Sequence, residues 1–349
     1  MFKTSFRLPI ISLPSLLSVI SLLLLSAPAF SQEFVWEVGM RSFFDNNEFA
    51  GSKIQLSQTM AGVRLAPVIG LEWDGKHRIF AGADALHEWG SSKAIDGIEP
   101  IAYYEYNARP FRFLAGAFSR KTLEHYPRMF FADSILNYRP TINGIFWEYS
   151  LPENGFANVW LDWTSRQTRS RHEAFFMGWS GRYNRGILRF QHFGYMFHLA
   201  PTSDPDAHVP VHDNGLLLSS IGLDLAERLG FDRLETNLGW TLALERNRGA
   251  DSWYAPQGLL WETRIAYRRL ELFNSFYKGG RLQKYYPERG NQLYHGDRLY
   301  SAGLYNRLDL GIHFIKSKAA NVRLAYSLHF AEGKVFHQQM LYATVNIGK

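Results

Sequence analysis

Cysteine is absent from all 349 residues, so the chain can build no disulfide, no thiolate metal site and no lipid-modified N-terminal cysteine. Beyond residue 30 no run approaches the roughly 18 consecutive apolar residues that a spanning helix needs, which excludes helical membrane spans there. A glycine-rich phosphate cradle is also missing. The formal net charge of +6 is spread along the chain rather than clustered, so nucleic-acid binding has little support. No long Pro/Ser linker or abrupt change of composition divides the chain into separate domains.

What is present begins at the N-terminus. Lys3 and Arg7 precede an apolar run from Leu8 to Leu25, and the small residues Ala27, Ala29 and Ser31 follow it. This is the layout of a cleaved secretory signal peptide, expected to occupy residues 1–31 and to end before Gln32. Pro9 and Pro14 interrupt the run and argue against an uncleaved anchor helix. Loss of Lys3 and Arg7 takes the net charge from +6 to +4. Export without thiols suits a bacterial envelope protein.

Residues 32–349 alternate with period two in about sixteen segments, read near 34–44, 54–73, 77–89, 100–108, 110–120, 141–150, 156–165, 172–183, 186–199, 215–228, 231–246, 258–268, 269–278, 298–315, 320–330 and 336–347. In the clearest of them Leu304, Leu308, Leu310, Ile312 and Phe314 share one face, and Tyr305, Arg307, Asp309 and His313 the other. In 172–183 and 186–199 aromatics fall on both faces and blur the pattern. The connections alternate between tight turns, such as Asp74-Gly75-Lys76 and Tyr183-Asn184-Arg185-Gly186, and longer loops, such as 121–140 and 279–297. Strands of this length exceed the usual five or six residues of a soluble sheet. A tilted, closed barrel crossing a membrane needs them, and closure leaves no unpaired edge in the hydrocarbon. The expected fold is therefore all-β: a transmembrane antiparallel up-and-down barrel of about 16 strands with short periplasmic turns and long external loops. Trp73 beside a turn, and Trp89, Trp163, Trp253 and Tyr254 near loops, fit aromatic girdles at the two interfaces.

With the apolar rows turned to lipid, the polar rows line the lumen. Arg64, Arg112, Asp162, Arg233, Glu235, Arg264, Arg307, Asp309 and Arg323 are expected there, most of them in paired, hydrated networks bracing the wall. The third long loop, 121–140, carries Met129, Phe130, Phe131, Ile135 and Leu136, which is unusually apolar for a solvent loop. Folded inward, it would put Arg120, Glu124, His125, Arg128, Asp133 and Arg139 at the narrowest part of a pore. Lying over the rim is the competing arrangement.

The whole chain from Gln32 resembles porin-type bacterial outer-membrane barrels in strand count, short turns and a long third loop. Stretches such as Phe43-Phe44-Asp45-Asn46-Asn47-Glu48-Phe49, Tyr126-Pro127-Arg128 and Asp162-Trp163-Thr164-Ser165-Arg166-Gln167 also resemble uncharacterised barrels of Bacteroidetes-type outer membranes. The chain departs from the barrel pattern at its end, where Gly348-Lys349 stand in place of a terminal aromatic. The resemblance implies a passive channel for small hydrophilic solutes, anionic or oligosaccharide-like, selected by width and by the charges of the third loop. It further implies contact with outer-membrane lipids, lipopolysaccharide and the barrel-assembly machinery, with a homo-oligomer left open.

Reaction chemistry is harder to find in the sequence. Asp204, Asp206, His208, His212 and Asp213 could hold a divalent cation, but Pro201, Pro205 and Pro210 among them suit a solvated loop better. Asp133-Ser134 with His125 follows no known nucleophile spacing. Tyr285, Tyr286, Tyr294 and Tyr300 with Arg281, Lys284, Arg289 and Arg298 would suit sugar stacking or anion capture. The sequence reading therefore expects no catalytic residue, metal or cofactor, and not an enzyme. A surface-exposed barrel hydrolysing lipid or peptide, or a structural or adhesive barrel, is the alternative.

Overall fold

The computed structural model describes residues 32–151, 154–204, 209–286, 289 and 293–349. The expected signal peptide, together with Pro205, Asp206 and His208 of the fifth loop, lies outside the described residues.

The chain forms one closed antiparallel sheet. Its strands are β1 (Glu33–Glu48), β2 (Gln58–Trp73), β3 (His77–Glu88), β4 (Gly97–Ala108), β5 (Phe111–Ser119), β6 (Thr141–Leu151), β7 (Gly155–Ser165), β8 (Ala174–Arg185), β9 (Leu188–Leu199), β10 (His212–Asp224), β11 (Arg233–Asn247), β12 (Gln257–Tyr267), β13 (Leu270–Gly279), β14 (Leu304–Lys316), β15 (Ala320–Ala331) and β16 (Lys334–Gly348). Each pairs with its sequence neighbours, and β1 closes the barrel against β16, from Glu37 opposite Gly348 to Glu48 opposite His337. Closure satisfies every edge, which is what hydrocarbon surroundings demand.

The period-two pattern decides which way each side chain points. On β14, Leu304, Leu310 and Phe314 are exposed on the outside, whereas Tyr305, Arg307, Asp309 and His313 are buried inside. Ile69, Leu238 and Trp261 show the same outward placement elsewhere around the wall.

Three sequence expectations change. Residues 298–302 are not strand but a short 3-10 turn, because the Asp297 carboxylate accepts from Leu299 N at 3.0 Å and Gly303 at φ 76° turns the chain before β14 begins. Residues beyond Asp224 leave the sheet as one helical turn, Ala226–Leu229, ended by Gly230 at φ 70°. The alternation of short turns with long loops is not strict either. The β10–β11 connection carries that helix on the short-turn side. On the loop side, β15 and β16 join through Glu332-Gly333 alone, whose φ values of 55° and 72° match the twist of a two-residue hairpin.

The barrel's interior is filled around its middle and its loop side. Phe146, Trp160, Phe176, Phe193, Tyr195, Phe197, Tyr277 and Tyr305 point inward from the strands and meet Leu123, Tyr126, Met129, Phe130 and Phe131 of loop L3 (120–140). Tyr300 and Leu299 of loop L7 (280–303) and Phe49 of loop L1 (49–57) join the same cluster.

Candidate functional site

Loop L3 lies against the inner wall, and its position is fixed by ion pairs to β7 and β14. Arg120 donates from Nη2 to Asp162 on β7 at 2.5 Å and to the Thr141 carbonyl at 2.8 Å, and from Nε to the Arg139 carbonyl at 2.7 Å. Further along, Arg128 pairs with Asp133 at 2.8 Å and with Asp309 at 3.1 Å, while Arg307 pairs with Asp133 and Asp309 at 2.7 Å each. Burial pushes the Asp133 carboxyl up, but Arg128 and Arg307 hold it far below the ordinary carboxylate range. This closed square of two cations and two anions ties the loop to β14.

The apolar side of L3 has equally definite partners. Trp160 Nε1 donates to the Tyr126 hydroxyl at 2.8 Å, and Phe130 packs edge-on to Tyr195. His125 Nε2 sits 2.8 Å from Ser180 Oγ, which in turn lies 2.8 Å from Asn158 Oδ1. Burial and then the nearby Arg182 charge lower the His125 pKa to about 4, so the ring is neutral near pH 7. Glu124 is exposed and lines two cavities on either side of it. Arg139 Nη1 faces His295 Nε2 at 3.5 Å.

The other expected lumen residues are mostly paired along the wall. Arg64 donates to Asp84 at 2.7 Å and to the Asn137 carbonyl at 2.8 Å. Arg112 bonds Glu105 at 2.9 Å, Arg233 pairs with Glu235 at 3.0 Å, and Arg323 pairs with Glu271. Arg264 reaches Glu262 only at 3.8 Å and lies over the Phe273 ring. At the start of β10, Asp213 is taken by Arg248 at 2.6 Å and His212 by Asn247 at 2.9 Å, which leaves little of the cation cluster considered from the sequence. Ser134 and His125 do not meet, because His125 is engaged with Ser180 and Ser134 lines the cavity above.

That cavity, of about 360 Å³, opens at the loop end between L1, L3 and L7. Ile54, Leu56 and Met60 give it an apolar rim, and Asp45, His329, Gln338, Asp297, Ser134, Arg139 and His295 a polar floor. Burial, followed by the charges of Arg139 and Arg120, holds His295 well below the ordinary histidine range and therefore neutral.

Sequence reasoning missed a hydrogen-bonded chain across this floor. Asp45 on β1 accepts from Gln338 Nε2 on β16 at 2.7 Å, and Gln338 Oε1 lies 3.0 Å from His329 Nε2 on β15. His329 Nδ1 lies 2.7 Å from the Tyr305 hydroxyl on β14, which is also 3.0 Å from Asp297 in L7. A hydroxyl has one proton, so Tyr305 can donate to His329 or to Asp297 but not to both. In the first case His329 carries its proton on Nε2 and gives it to Gln338. In the second, His329 needs a proton on Nδ1. The chain therefore joins two carboxylates through an imidazole with two proton placements, an arrangement fit for general acid–base chemistry.

The fold defines a porin-type outer-membrane β-barrel. Solved structures with the same architecture include a loop-deleted OmpT, an outer membrane protein of Vibrio cholerae (TM-score 0.56, 8% identity, covering 91% of this chain and 100% of that one). OpdK from Pseudomonas aeruginosa (TM-score 0.53, 11% identity, 91% and 99% covered) and an anion-selective porin from Comamonas acidovorans (TM-score 0.53, 10% identity, 91% and 99% covered) share it too. No curated protein matches the sequence. A family model described as lipid A 3'-O-deacylase-type matches residues 26–347, and the chain belongs to that family. The expectation from the sequence that the protein is not an enzyme is corrected by this match, which points to an enzyme. The residues that could serve one come from β1, β14, β15, β16 and L7, and no local spacing links them.

Proposed function

We propose that the protein is an outer-membrane hydrolase that removes an ester-linked acyl chain from a lipid-A-type glycolipid, with the loop-side cavity as its active site. The observation that carries this reading is that Asp45, Gln338, His329 and Asp297, members of the hydrogen-bonded chain that Tyr305 completes, line one cavity together with an apolar rim. The family assignment supplies the reaction class. Acyl chains would lie against Ile54, Leu56 and Met60, and Arg139 would face the anionic headgroup. A water on the cavity floor gives its proton to the His329 chain as it attacks the ester carbonyl, and the departing sugar hydroxyl takes a proton back. With the long loops facing outward, the cavity would lie at the level of the outer leaflet.

The test is release of fatty acid from lipid A in mixed micelles, followed by mass spectrometry. Wild type is expected to release it, and His329→Gln and Asp45→Asn to lose about 10²-fold or more in rate while keeping the heat-resistant barrel on gels. Absence of release above a protein-free control would sink the reading.

A porin-like conduit is a second reading, favoured by three cavities that adjoin along one face of L3. The loop-side cavity shares Ala132, Asp133 and Ile135 with a middle one, which shares Glu124 and Arg264 with a turn-side one. Arg120, Glu124, His125, Arg128, Asp133 and Arg139 would then constrict the path of small hydrophilic solutes. Planar-bilayer conductance tests it: a measurable current whose anion preference changes in Arg128→Gln supports it, and a silent bilayer removes it.

A further inference from the structure

The turn-side cavity, of about 280 Å³, is lined by three arginines and three glutamates, not all of them paired with one another. Glu235 is committed, ion-paired to Arg189 at 2.5 Å and to Arg233 at 3.0 Å, and Asp224 also pairs with Arg189. Glu124 belongs to the exposed part of L3. Arg182 has no carboxylate within ion-pair distance among the described residues. Its guanidinium lies over Phe156, and the Gln191 amide, once turned, accepts from its Nε at 3.1 Å and Nη2 at 3.2 Å. Arg264, stacked on Phe273, has among the described residues only Glu262 within ion-pair distance, at 3.8 Å. Both forks are thus held by aromatic faces, with their charge directed into the cavity.

A second observation concerns the opposite polarity. Glu262 is 8% exposed, and its Oε1 has no hydrogen-bond partner among the described residues. A buried carboxylate oxygen without a donor is costly and asks for one from a ligand. Ser220 and Asn237 line the same space and add neutral hydrogen-bonding groups.

We infer that this cavity is a binding site for a small polyhydroxylated anion, a sugar acid in class, that enters from the turn end of the barrel. Arg182 and Arg264 take its anionic group, and Glu262 Oε1 accepts from one of its hydroxyls. The volume lies near the roughly 300 Å³ lower bound of ligand pockets and suits a molecule of about six carbons. Entry from the turn end follows from Arg233 and Glu235, which open β11 immediately after the turn-side connection. The site is separate from the proposed hydrolase centre and uses none of its residues.

Isothermal titration of the detergent-solubilised full chain tests it, with D-gluconate as the probe, acetate as a charge without hydroxyls and glucose as hydroxyls without charge. Gluconate is expected to bind about tenfold or more tightly than either. Arg182→Gln and Arg264→Gln should each weaken gluconate about tenfold, and Glu262→Met, which removes the acceptor, should reduce it toward the acetate level. Arg182→Lys keeps the charge and removes the fork, so a folded Lys variant with weakened binding guards against a misfolded Gln variant. Gluconate binding no better than acetate, or unchanged in folded Arg182 variants, overturns the site. Because Arg182 lies outside the loop-side cavity, lipid hydrolysis should persist in these variants, and the two readings fail independently.

Discussion

Replacing Asp162 by Asn tests whether L3 is held by the pair it makes with Arg120. The side chains are 3% and 1% exposed, so solvent screens the interaction little. Asn keeps the acceptor for Asn143 N, which Asp162 Oδ1 engages at 3.0 Å, but presents a neutral amide to the guanidinium at the other oxygen. A buried cation left without its partner costs about 3–5 kcal/mol. The cost should fall on L3, because among the described residues the carbonyls of Arg139 and Thr141 remain as Arg120's acceptors and the barrel hydrogen bonds are untouched. An opening equilibrium eased by about 3 kcal/mol is more than 100-fold larger. Amide hydrogen exchange by mass spectrometry on peptides covering 120–140 should speed up by about that factor, while peptides from β1 and β16 stay protected. The double variant Arg120→Met with Asp162→Asn removes the unpaired cation while keeping the acceptor for Asn143 N, and should restore part of the protection. Unchanged exchange across L3 in Asp162→Asn would refute the anchoring argument.

Other consequences are as specific. His125 has its pKa lowered to about 4 by burial and Arg182, against about 6.5 when unfolded, so its contribution to stability is present above pH 6.5 and is lost as the pH falls toward 4. The loss is at most about 3 kcal/mol, less for a ring that is partly exposed. Unfolding midpoints between pH 7 and pH 4 should fall more in wild type than in His125→Gln, and parallel curves would rule the effect out. At Gly178 an added Cβ would stand 2.2 Å from the Trp160 indole. Gly178→Ala should therefore displace Trp160, break its 2.8 Å bond to Tyr126 and lower stability by about 1–3 kcal/mol. A midpoint equal to wild type in denaturant would show that the indole moves without cost.

The barrel was legible because two independent constraints write it into the sequence. Lipid outside and polar groups inside force period two along every strand, as Leu304 to Phe314 shows, and reversals such as Asp74-Gly75 require residues that tolerate φ near 53° and 61°. The filled interior left a weaker trace. Inward aromatics at Phe176, Tyr195 and Phe197, next to outward Met177 and Met196, erase the contrast between faces in β8 and β9. The blurred segments were thus the signal of a packed lumen. The candidate site left none, because Asp45 and Gln338 lie nearly a whole chain apart and meet only when β1 closes on β16. Spacing rules report chemistry confined to one turn or loop, and this chemistry arises from closure.

The way L3 is fixed bears on how the two ends of the barrel can communicate. Swinging the loop aside would separate Arg128 and Asp133 from Arg307 and Asp309, and would pull Met129 and Phe130, both fully buried, out of the aromatic cluster. Either loss alone costs several kcal/mol. L3 is therefore a wall of the interior and not a gate. Any traffic between the loop-side and turn-side cavities passes along its charged face, by Glu124, Arg128 and Asp133, where the adjoining cavities lie. An amphiphile with several acyl chains cannot follow so polar a route, which confines a lipid substrate to the loop end, where Ile54, Leu56 and Met60 give the cavity an apolar margin.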